Sequence, residues 1–171
     1  MKTFNQIKDK LVRVEELKTK IDELKQSGKK VVFTNGCFDI LHLGHVSYLS
    51  QAADLGDVLV VGMNSDQSVR NQGKGDNRPV NPQEARGFLL AALGFVDFVV
   101  IFEEQTPIQI IETIIPDVLV KGGDYNAFEN NPKAKAYIVG SSIVRQNGGE
   151  VKTIDLVDGY STTATINKMK G

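Results

Sequence analysis

The chain contains a single cysteine, Cys37, among 171 residues, so an intrachain disulfide cannot form. A lone thiol is typical of proteins that work in the reducing cytosol. The N-terminus shows no basic cluster followed by an apolar run, and no stretch approaches the length of a membrane span. The sequence therefore predicts a cytoplasmic protein that does not insert into a membrane.

A large net charge is also absent, because 20 basic and 21 acidic residues leave a net charge of −1. Proteins that coat nucleic acid or an anionic membrane need a strongly basic surface. The sequence also lacks a basic stripe with interleaved aromatic residues. We therefore expect neither nucleic acid nor membrane among the partners.

Three common catalytic signatures are missing. The sequence has no G-x-x-x-x-G-K-[ST], no G-x-G-x-x-G after the first predicted strand and no G-x-S-x-G. The first absence excludes a P-loop enzyme and the second disfavours a dinucleotide-binding dehydrogenase. The third leaves Ser-His-Asp hydrolysis without its nucleophile elbow.

Short apolar runs alternate with helical patterns along most of the chain. The runs predict strands at residues 31–34, 57–63, 97–102, 117–120 and 150–154. Helices are predicted at residues 43–55, 82–93, 106–115, 132–146 and 161–169, with Thr106 as a cap and Pro107 at the first helical position. This alternation predicts an α/β fold, a Rossmann-like doubly wound sheet of about five parallel strands with helices on both faces.

The N-terminal segment has a different pattern. Apolar residues recur every three or four positions over residues 3–27, which predicts one long helix. We therefore divide the chain into an N-terminal helix, residues 1–28, and a domain that carries the sheet, residues 29–171. Polar loops at residues 70–81 and 122–132 are candidates for mobile segments that cover a substrate.

The only two histidines, His42 and His45, lie three positions apart after the first predicted strand. Open parallel sheets bind ligands at the carboxyl ends of their strands, and residues three apart share a helix face. Both imidazoles are therefore expected to face the crevice, where Gly36 and Gly44 allow close approach. A metal site would need carboxylates as further ligands. An anion site with imidazole N–H groups facing phosphate and a pair of purely structural histidines are the other interpretations.

Three further polar groups lie at predicted strand ends or helix starts. Ser161, Thr162 and Thr163 begin the last helix, where one hydroxyl suffices as a cap and the others can hold phosphate. Residues 121–124 (KGGD) follow the fourth strand and suit a phosphate contact, although an exposed turn explains them equally well. Residues 64–66 (NSD), after the second strand, are also polar residues at a strand end, and the same two interpretations apply to them.

Residues 34–45 (TNGCFDILHLGH) resemble the signature of the HxGH nucleotidyltransferase superfamily, whose cytidylyltransferase-like branch carries G-x-F-D-x-x-H-x-G-H. Residues 121–125 (KGGDY) and 161–163 (STT) are similar to those of the adenylyltransferases that make ADP-heptose from D-glycero-β-D-manno-heptose 1-phosphate. The resemblance covers about residues 28–170. Many relatives carry an arginine shortly before the hydroxyl triplet, where this chain has Leu156 and Val157, so Lys121 or another cation has to serve.

The resemblance implies transfer of AMP from ATP to a sugar 1-phosphate, with Mg²⁺ as cofactor, in the synthesis of a lipopolysaccharide precursor. It implies catalytic roles for His42, His45 and Lys121, and no metal ligand set is predicted. The implied nucleotide-binding residues are Thr34, Asn35, Gly36, Cys37, Phe38, Asp39, Gly44, Ser161, Thr162 and Thr163. The implied substrate-binding residues are Asn64, Asp66, Lys74, Arg78, Arg86, Gly123 and Asp124, and a solvated surface charge is the alternative for Arg86.

The resemblance also implies partners. Dimers are common among relatives, so a homodimer is expected, and the sugar kinase that many bacteria fuse to this domain is expected on another chain. Two other acceptors stay open, namely glycerol 3-phosphate with CTP and flavin mononucleotide with ATP. An interpretation of another class is a nucleotide-binding module without turnover.

Overall fold

The computed structural model describes residues 2–73 and 77–169, and within them all strands form one parallel sheet. The strands are β1 (Leu11–Val12), β2 (Val31–Gly36), β3 (Val58–Asn64), β4 (Phe98–Phe102), β5 (Val118–Gly122) and β6 (Glu150–Ile154). The helices are α1 (Lys2–Lys8), α2 (Val14–Gln26), α3 (Leu43–Ala53), α4 (Asp66–Asn71), α5 (Gln83–Ala91), α6 (Ile108–Ile114), α7 (Ser141–Gln146) and α8 (Thr162–Met169). The strand order is β1-β4-β3-β2-β5-β6.

The central strands are apolar throughout because both faces of the sheet are covered. In β2, Val31 and Phe33 pack into a cluster that includes residues of α2, α6 and α7. The intervening Val32 packs on the opposite face, with residues of α3 and α5. Successive side chains of a strand point to opposite faces, so an apolar run in this position fills two cores. The doubly wound parallel sheet predicted from the sequence is confirmed, with six strands rather than about five.

The strand order fixes where a ligand can bind. The chain runs from β2 outward to β3 and β4, and then returns to place β5 on the other side of β2. The connections that follow β2 and β5 therefore lead to opposite sides of the sheet and leave a crevice at their carboxyl ends. Gly36 is the last residue of β2, and Lys121 and Gly122 are the last two residues of β5.

The single helix predicted for residues 3–27 is wrong. Leu11 and Val12 form the edge strand β1, which pairs in parallel with Val99 and Val100 of β4. A new helix, α2, starts after Arg13, whose backbone N–H is bonded by the carboxylate of Glu16 at 3.3 Å. The apolar spacing continues across the break because β1 is too short to interrupt a helical period. The division of the chain at residue 28 stays a prediction.

The helix predicted for residues 132–146 is largely wrong, because only α7 at its end is helical. The preceding segment is held by local side-chain bonds. Asn126 and Asn131 each accept the backbone N–H two residues onward, at 2.9 and 3.1 Å. Such bonds offer the backbone an alternative to the helical ladder. Gly140, with φ 85°, then turns the chain into α7.

Smaller differences concern helix starts. Helix α6 begins at Ile108 with Pro107 as its N-cap, so the predicted roles of Thr106 and Pro107 are one position out. Helix α4 is absent from the sequence-based prediction, although Ser65 caps it by accepting the Ser68 N–H at 3.0 Å. No helix in the described part of the chain combines the length and apolar composition that a membrane crossing requires.

Candidate active site

A cavity of about 380 Å³ lies at the crevice between the ends of β2 and β5. Four parts of the chain line it, namely the β2 end with its following loop, the start of α3, the β5 end and the start of α8. The described lining residues are Asn35, Gly36, Cys37, Phe38, His42, Gly44, His45, Tyr48, Lys121, Gly122, Asp124, Tyr125, Leu156, Tyr160, Ser161 and Thr162. Residues far apart in sequence thus meet where the fold leaves room for a ligand.

The two histidines stack on one another at the start of α3. His42 is the N-cap, and its Nδ1 accepts the backbone N–H of His45 at 3.4 Å. The ring centroids are 3.8 Å apart, with 21° between the planes. A neutral imidazole that accepts at Nδ1 carries its proton on Nε2, so His42 has an N–H to offer a ligand.

His45 is the more buried of the pair, and its electrostatics follow from that. Burial, followed by the nearby imidazole of His42, lowers the pKa of His45 to about 4, although a hydrogen bond to the Ile40 backbone opposes the shift. Burial also lowers the pKa of His42. Nδ1 of His45 is buried and has no hydrogen-bond partner among the described residues. The free site therefore holds uncharged imidazoles at neutral pH.

Close packing fixes the pair. A Cβ at position 44 would lie 3.1 Å from the His42 ring and 3.2 Å from Cβ of Tyr160, so a side chain there would need these neighbours to move apart. The Phe38 ring contacts His45 edge-on, with centroids 5.4 Å apart. The predicted close approach at Gly44 thus serves the contact between α3 and Tyr160, two residues before α8.

Lys121 lines this cavity and also a second, neighbouring cavity. Its Nζ donates to the backbone oxygen and Oδ1 of Asn35, at 3.0 and 3.1 Å, and lies 4.9 Å from the ring centroid of Tyr125. Among the described residues that line the two cavities, Lys121 is the only lysine or arginine. Within the described lining, the fixed positive charge therefore comes from the ammonium group of Lys121.

The second cavity, of about 310 Å³, shares Asn35, Gly36, Cys37, Lys121 and Tyr125 with the first. Its other walls come from the end of β3, from the residue after α4 and from the loop after β4. Neutral polar side chains dominate these walls, and they include Asn64, Gln72, Gln105, Thr106 and Tyr137. The two cavities are therefore neighbours that meet at Lys121.

The hydroxyl triplet is used unevenly. Oγ of Ser161 accepts the N–H of Ala164 at 3.0 Å, so this residue caps α8. Thr162 is half-buried and lines the larger cavity, whereas Thr163 is exposed and lines neither. The structure thus brings Ser161 and Thr162 to the histidines.

Several residues predicted for the site lie outside both cavities. Thr34 is buried and bonds the Tyr48 hydroxyl at 2.6 Å. Arg86 is fully buried, so the interpretation as a solvated surface charge is wrong. The remaining members are Asp39, Asp66, Arg78, Gly123 and Thr163. Lys74 lies outside the described residues, and the substrate contacts assigned to all of these residues stay predictions.

Sequence reasoning also missed residues of the second cavity. Gln105 and Thr106 follow β4 closely, so the same strand-end rule that selected Asn64 points to them. Tyr137 falls in the predicted helix that does not form. Gln72 follows α4, the helix that the sequence patterns do not reveal.

The described residues include no group of three or more His, Cys, Asp or Glu side chains that could hold a metal ion. In the two cavities, the only carboxylate among them belongs to Asp124. A cation bound by this site would therefore take most of its ligands from the substrate or from water.

Two curated relatives match most of this chain. The bifunctional protein HldE of Campylobacter fetus subsp. fetus is 56% identical over 162 residues, 95% of this chain and 32% of that protein. The HldE protein of a Nitratiruptor species is 54% identical over 156 residues, 91% of this chain and 31% of that one. The chain thus spans about a third of the length of these relatives.

A solved structure and a family model also match this chain. The lipopolysaccharide core biosynthesis protein of Thermoplasma volcanium GSS1 superposes with a TM-score of 0.57 and 30% identity, covering 78% of this chain and 100% of that one. A family model described as cytidylyltransferase-like matches residues 33–167. The family predicted from residues 34–45 is confirmed, and the chain belongs to the cytidylyltransferase-like family of nucleotidyltransferases.

Proposed function

We propose that the chain transfers AMP from ATP to D-glycero-β-D-manno-heptose 1-phosphate, giving ADP-heptose and pyrophosphate. The observation that carries the proposal is one cavity lined by the stacked histidines, Lys121 and the start of α8. The high identity to the HldE proteins and the likeness to a lipopolysaccharide core biosynthesis protein support the sugar acceptor.

The nucleotide occupies the larger cavity in this proposal. Its phosphates lie between the histidines and the start of α8, where the free N–H groups of a helix favour an anion. The attacking group is a phosphate oxygen of the acceptor. A phosphate monoester has a second pKa of about 6, so it is already mostly dianionic at neutral pH. The reaction therefore needs no general base, and catalysis rests on positioning and charge neutralisation.

In this proposal His42 acts as a neutral hydrogen-bond donor to the α-phosphate, and His45 stacks against it at the same wall. The lowered pKa values of both imidazoles favour this uncharged form, and His42 carries its proton on Nε2. A preorganised donor aimed at developing charge contributes about 10²–10³ in turnover. Lys121 adds a positive charge at the wall that both cavities share, where the reacting phosphates meet.

Magnesium fits this site as a cation that arrives with ATP. Mg²⁺ keeps several waters and is usually bound through one or two carboxylates together with substrate phosphates. Asp124 is the carboxylate available to hold it. When bound, the ion would neutralise part of the charge on the triphosphate.

The second cavity suits the sugar. Amide and hydroxyl groups, such as those of Gln72, Gln105 and Tyr137, can both donate and accept hydrogen bonds. A heptose presents several hydroxyls that do the same, while its phosphate reaches toward Lys121. This arrangement places the acceptor phosphate next to the nucleotide and the sugar ring away from it.

The substrates also bear on location and partners. We propose that the chain works in the cytoplasm, where ATP is available, and that a sugar kinase on another chain supplies the acceptor. We also propose a homodimer, which sedimentation of the purified chain would test.

The decisive experiment incubates the chain with ATP, Mg²⁺ and a panel of sugar 1-phosphates. Parallel reactions contain CTP with glycerol 3-phosphate and ATP with flavin mononucleotide. Pyrophosphate release and product masses are measured, and we expect ADP-heptose as the main product. ATP binding without pyrophosphate release from any acceptor would instead identify a module without turnover.

A further inference from the structure

Arg86 is a fully buried arginine that lies behind the walls of the two cavities. Its guanidinium donates to the carbonyl oxygens of Cys37 at 2.5 Å and Asn64 at 2.9 Å. It also donates to the carbonyl oxygen of Asn81 at 3.0 Å and to the carboxylate of Asp66 at 2.7 Å. The rigid fork of one side chain therefore connects three segments of the chain, at Cys37, at residues 64–66 and at Asn81.

A second buried ion pair extends these contacts. The carboxylate of Asp39 accepts a hydrogen bond from Nε of Arg78 at 2.5 Å. It also accepts hydrogen bonds from the backbone N–H groups of Val80 and Asn81, at 2.7 and 3.0 Å. The Asn81 side chain donates in turn to the backbone oxygen of Asp39 at 2.8 Å. Because Asn81 also accepts from Arg86, a continuous chain of hydrogen bonds runs from Arg86 to Asp39.

The turn held by these bonds has an unusual backbone. Phe38, between Cys37 and Asp39, has φ 47°, in the left-handed region that bulky L-residues rarely adopt. Such a conformation persists where the surrounding structure holds it. The ring of Phe38 is the part of the turn that contacts His45. A change in the position of the turn would therefore change the position of the His45 imidazole through this aromatic contact.

We propose that Arg86 is a positioning residue that fixes the turn of residues 37–39, and through Phe38 the imidazole of His45. Arg86 lines neither cavity and has no exposed surface, so it acts on the reaction without touching the substrate. This inference rests on the proposed function in one respect, because adenylyl transfer is one of its two readouts.

The test compares Arg86→Ala and Arg86→Lys with Arg13→Ala. Arg13 is an exposed arginine just before α2 that lines neither cavity, and its removal should leave turnover unchanged. We expect Arg86→Ala to lower kcat by about 10²-fold, since small misplacements of catalytic groups have effects of this size. The KM for ATP should change far less than kcat. Lysine keeps the charge but not the planar fork, so Arg86→Lys should recover only part of the loss.

Two further measurements separate positioning from general stability. Guanidinium chloride, far below its denaturing range, should restore part of the kcat of Arg86→Ala, whereas an equal concentration of sodium chloride should not. In protein labelled with ¹³C-histidine, the ring signals of His45 should shift in both Arg86 variants and not in Arg13→Ala. These signals report the packing of Phe38 without any substrate.

The outcomes distinguish the two proposals. If the wild-type chain transfers no AMP, the proposed function fails, and the His45 signals still decide the positioning role. If Arg86→Ala does not fold, Arg86→Lys decides it. A folded variant with wild-type kcat and unshifted His45 signals overturns the positioning role. If neither Arg86 variant folds, Asn81→Ala, which removes one bond of the same chain, must shift those signals.

Discussion

The two walls of the larger cavity are built in opposite ways. The inner wall, residues 37–45, is anchored by Asp39, which is 2% exposed and paired with Arg78. The outer wall, residues 156–162, carries Leu156 and Tyr160, which are 53% and 48% exposed. The hydrogen bonds of Ser161 in this wall stay within its own helix.

This difference in anchoring indicates that the two walls have different tasks. Groups that stabilise a transition state work best when they are fixed before the substrate arrives. The inner wall meets this condition through its buried ion pairs and carries both histidines. The outer wall, which the proposal assigns to the nucleotide, has exposed residues and little support from the core. Changes in the inner wall should therefore reduce stability and turnover, and changes in the outer wall should reduce nucleotide affinity.

The largest effect is expected from the anchor of the inner wall. Asp39→Asn removes the charge that pairs with Arg78, and breaking a buried pair costs about 3–5 kcal/mol of stability. Urea unfolding measures the loss. Asp22→Asn is the control, because Asp22 pairs with Lys18 at 2.7 Å on an exposed helix face, where the loss should be about 1 kcal/mol or less. Equal losses in the two variants would show that the inner wall is not specially anchored.

The next effect concerns the chemistry of the inner wall. His45→Ala should lower turnover about 10²-fold or more, since the proposed mechanism sets the stacked imidazole pair against the transferred phosphate and this change removes one of its members. Pyrophosphate release at saturating ATP and Mg²⁺ measures it. Gln51→Ala, an exposed change on the same helix, should have wild-type turnover. Activity near the wild-type level in His45→Ala would contradict the role assigned to this imidazole.

Burial of His45 also predicts a pH dependence of stability. The pKa of His45 is about 4 in the folded chain and 6.5 as its ordinary value, so the unfolded chain binds more protons between these pH values. Stability should therefore fall as the pH decreases from 6.5, by about 2 kcal/mol at pH 5.

The measurement compares wild type with His45→Asn by urea unfolding at pH 6.5 and pH 5. The variant should lose the part of the decrease that belongs to this imidazole. His42→Asn is the matched control, because the less buried His42 should contribute a smaller decrease. A pH dependence that is unchanged in His45→Asn would show that this histidine is not the source.

Part of the inner wall is predictable from the sequence, because that part lies within one continuous segment of the chain. Residues 34–45 form one continuous signature, so the strand, the turn and both histidines can be recognised together. The partners of Asp39 and Arg86 cannot be, because their contacts join segments about 20 to 50 residues away. An arginine in such a sequence is readily interpreted as a substrate ligand, whereas its burial depends on the tertiary fold.

The strands also divide into those that local sequence predicts and one that depends on a distant partner. Strands β2 to β5 have apolar runs, so they are predictable from their own sequences, and β6 (EVKTI) is marked by its β-branched residues Val151, Thr153 and Ile154. Strand β1 has two residues and exists because β4 offers its edge. Its pairing is set by residues 99 and 100, which no pattern within residues 3–27 reveals. The segment before α7 differs for another reason, since asparagine side chains there compete with the helix.

The smallest effect is expected in the outer wall, where two adjacent threonines give a matched pair. Thr162 is half-buried and lines the cavity, whereas Thr163 is exposed and lies outside it. Thr162→Ala should raise the KM for ATP about 5-fold, the equivalent of one hydrogen bond of about 1 kcal/mol, without changing stability in urea. Thr163→Ala should leave the KM unchanged. If both substitutions act alike, or if Thr162→Ala lowers kcat as strongly as His45→Ala, the separation of tasks between the two walls is wrong.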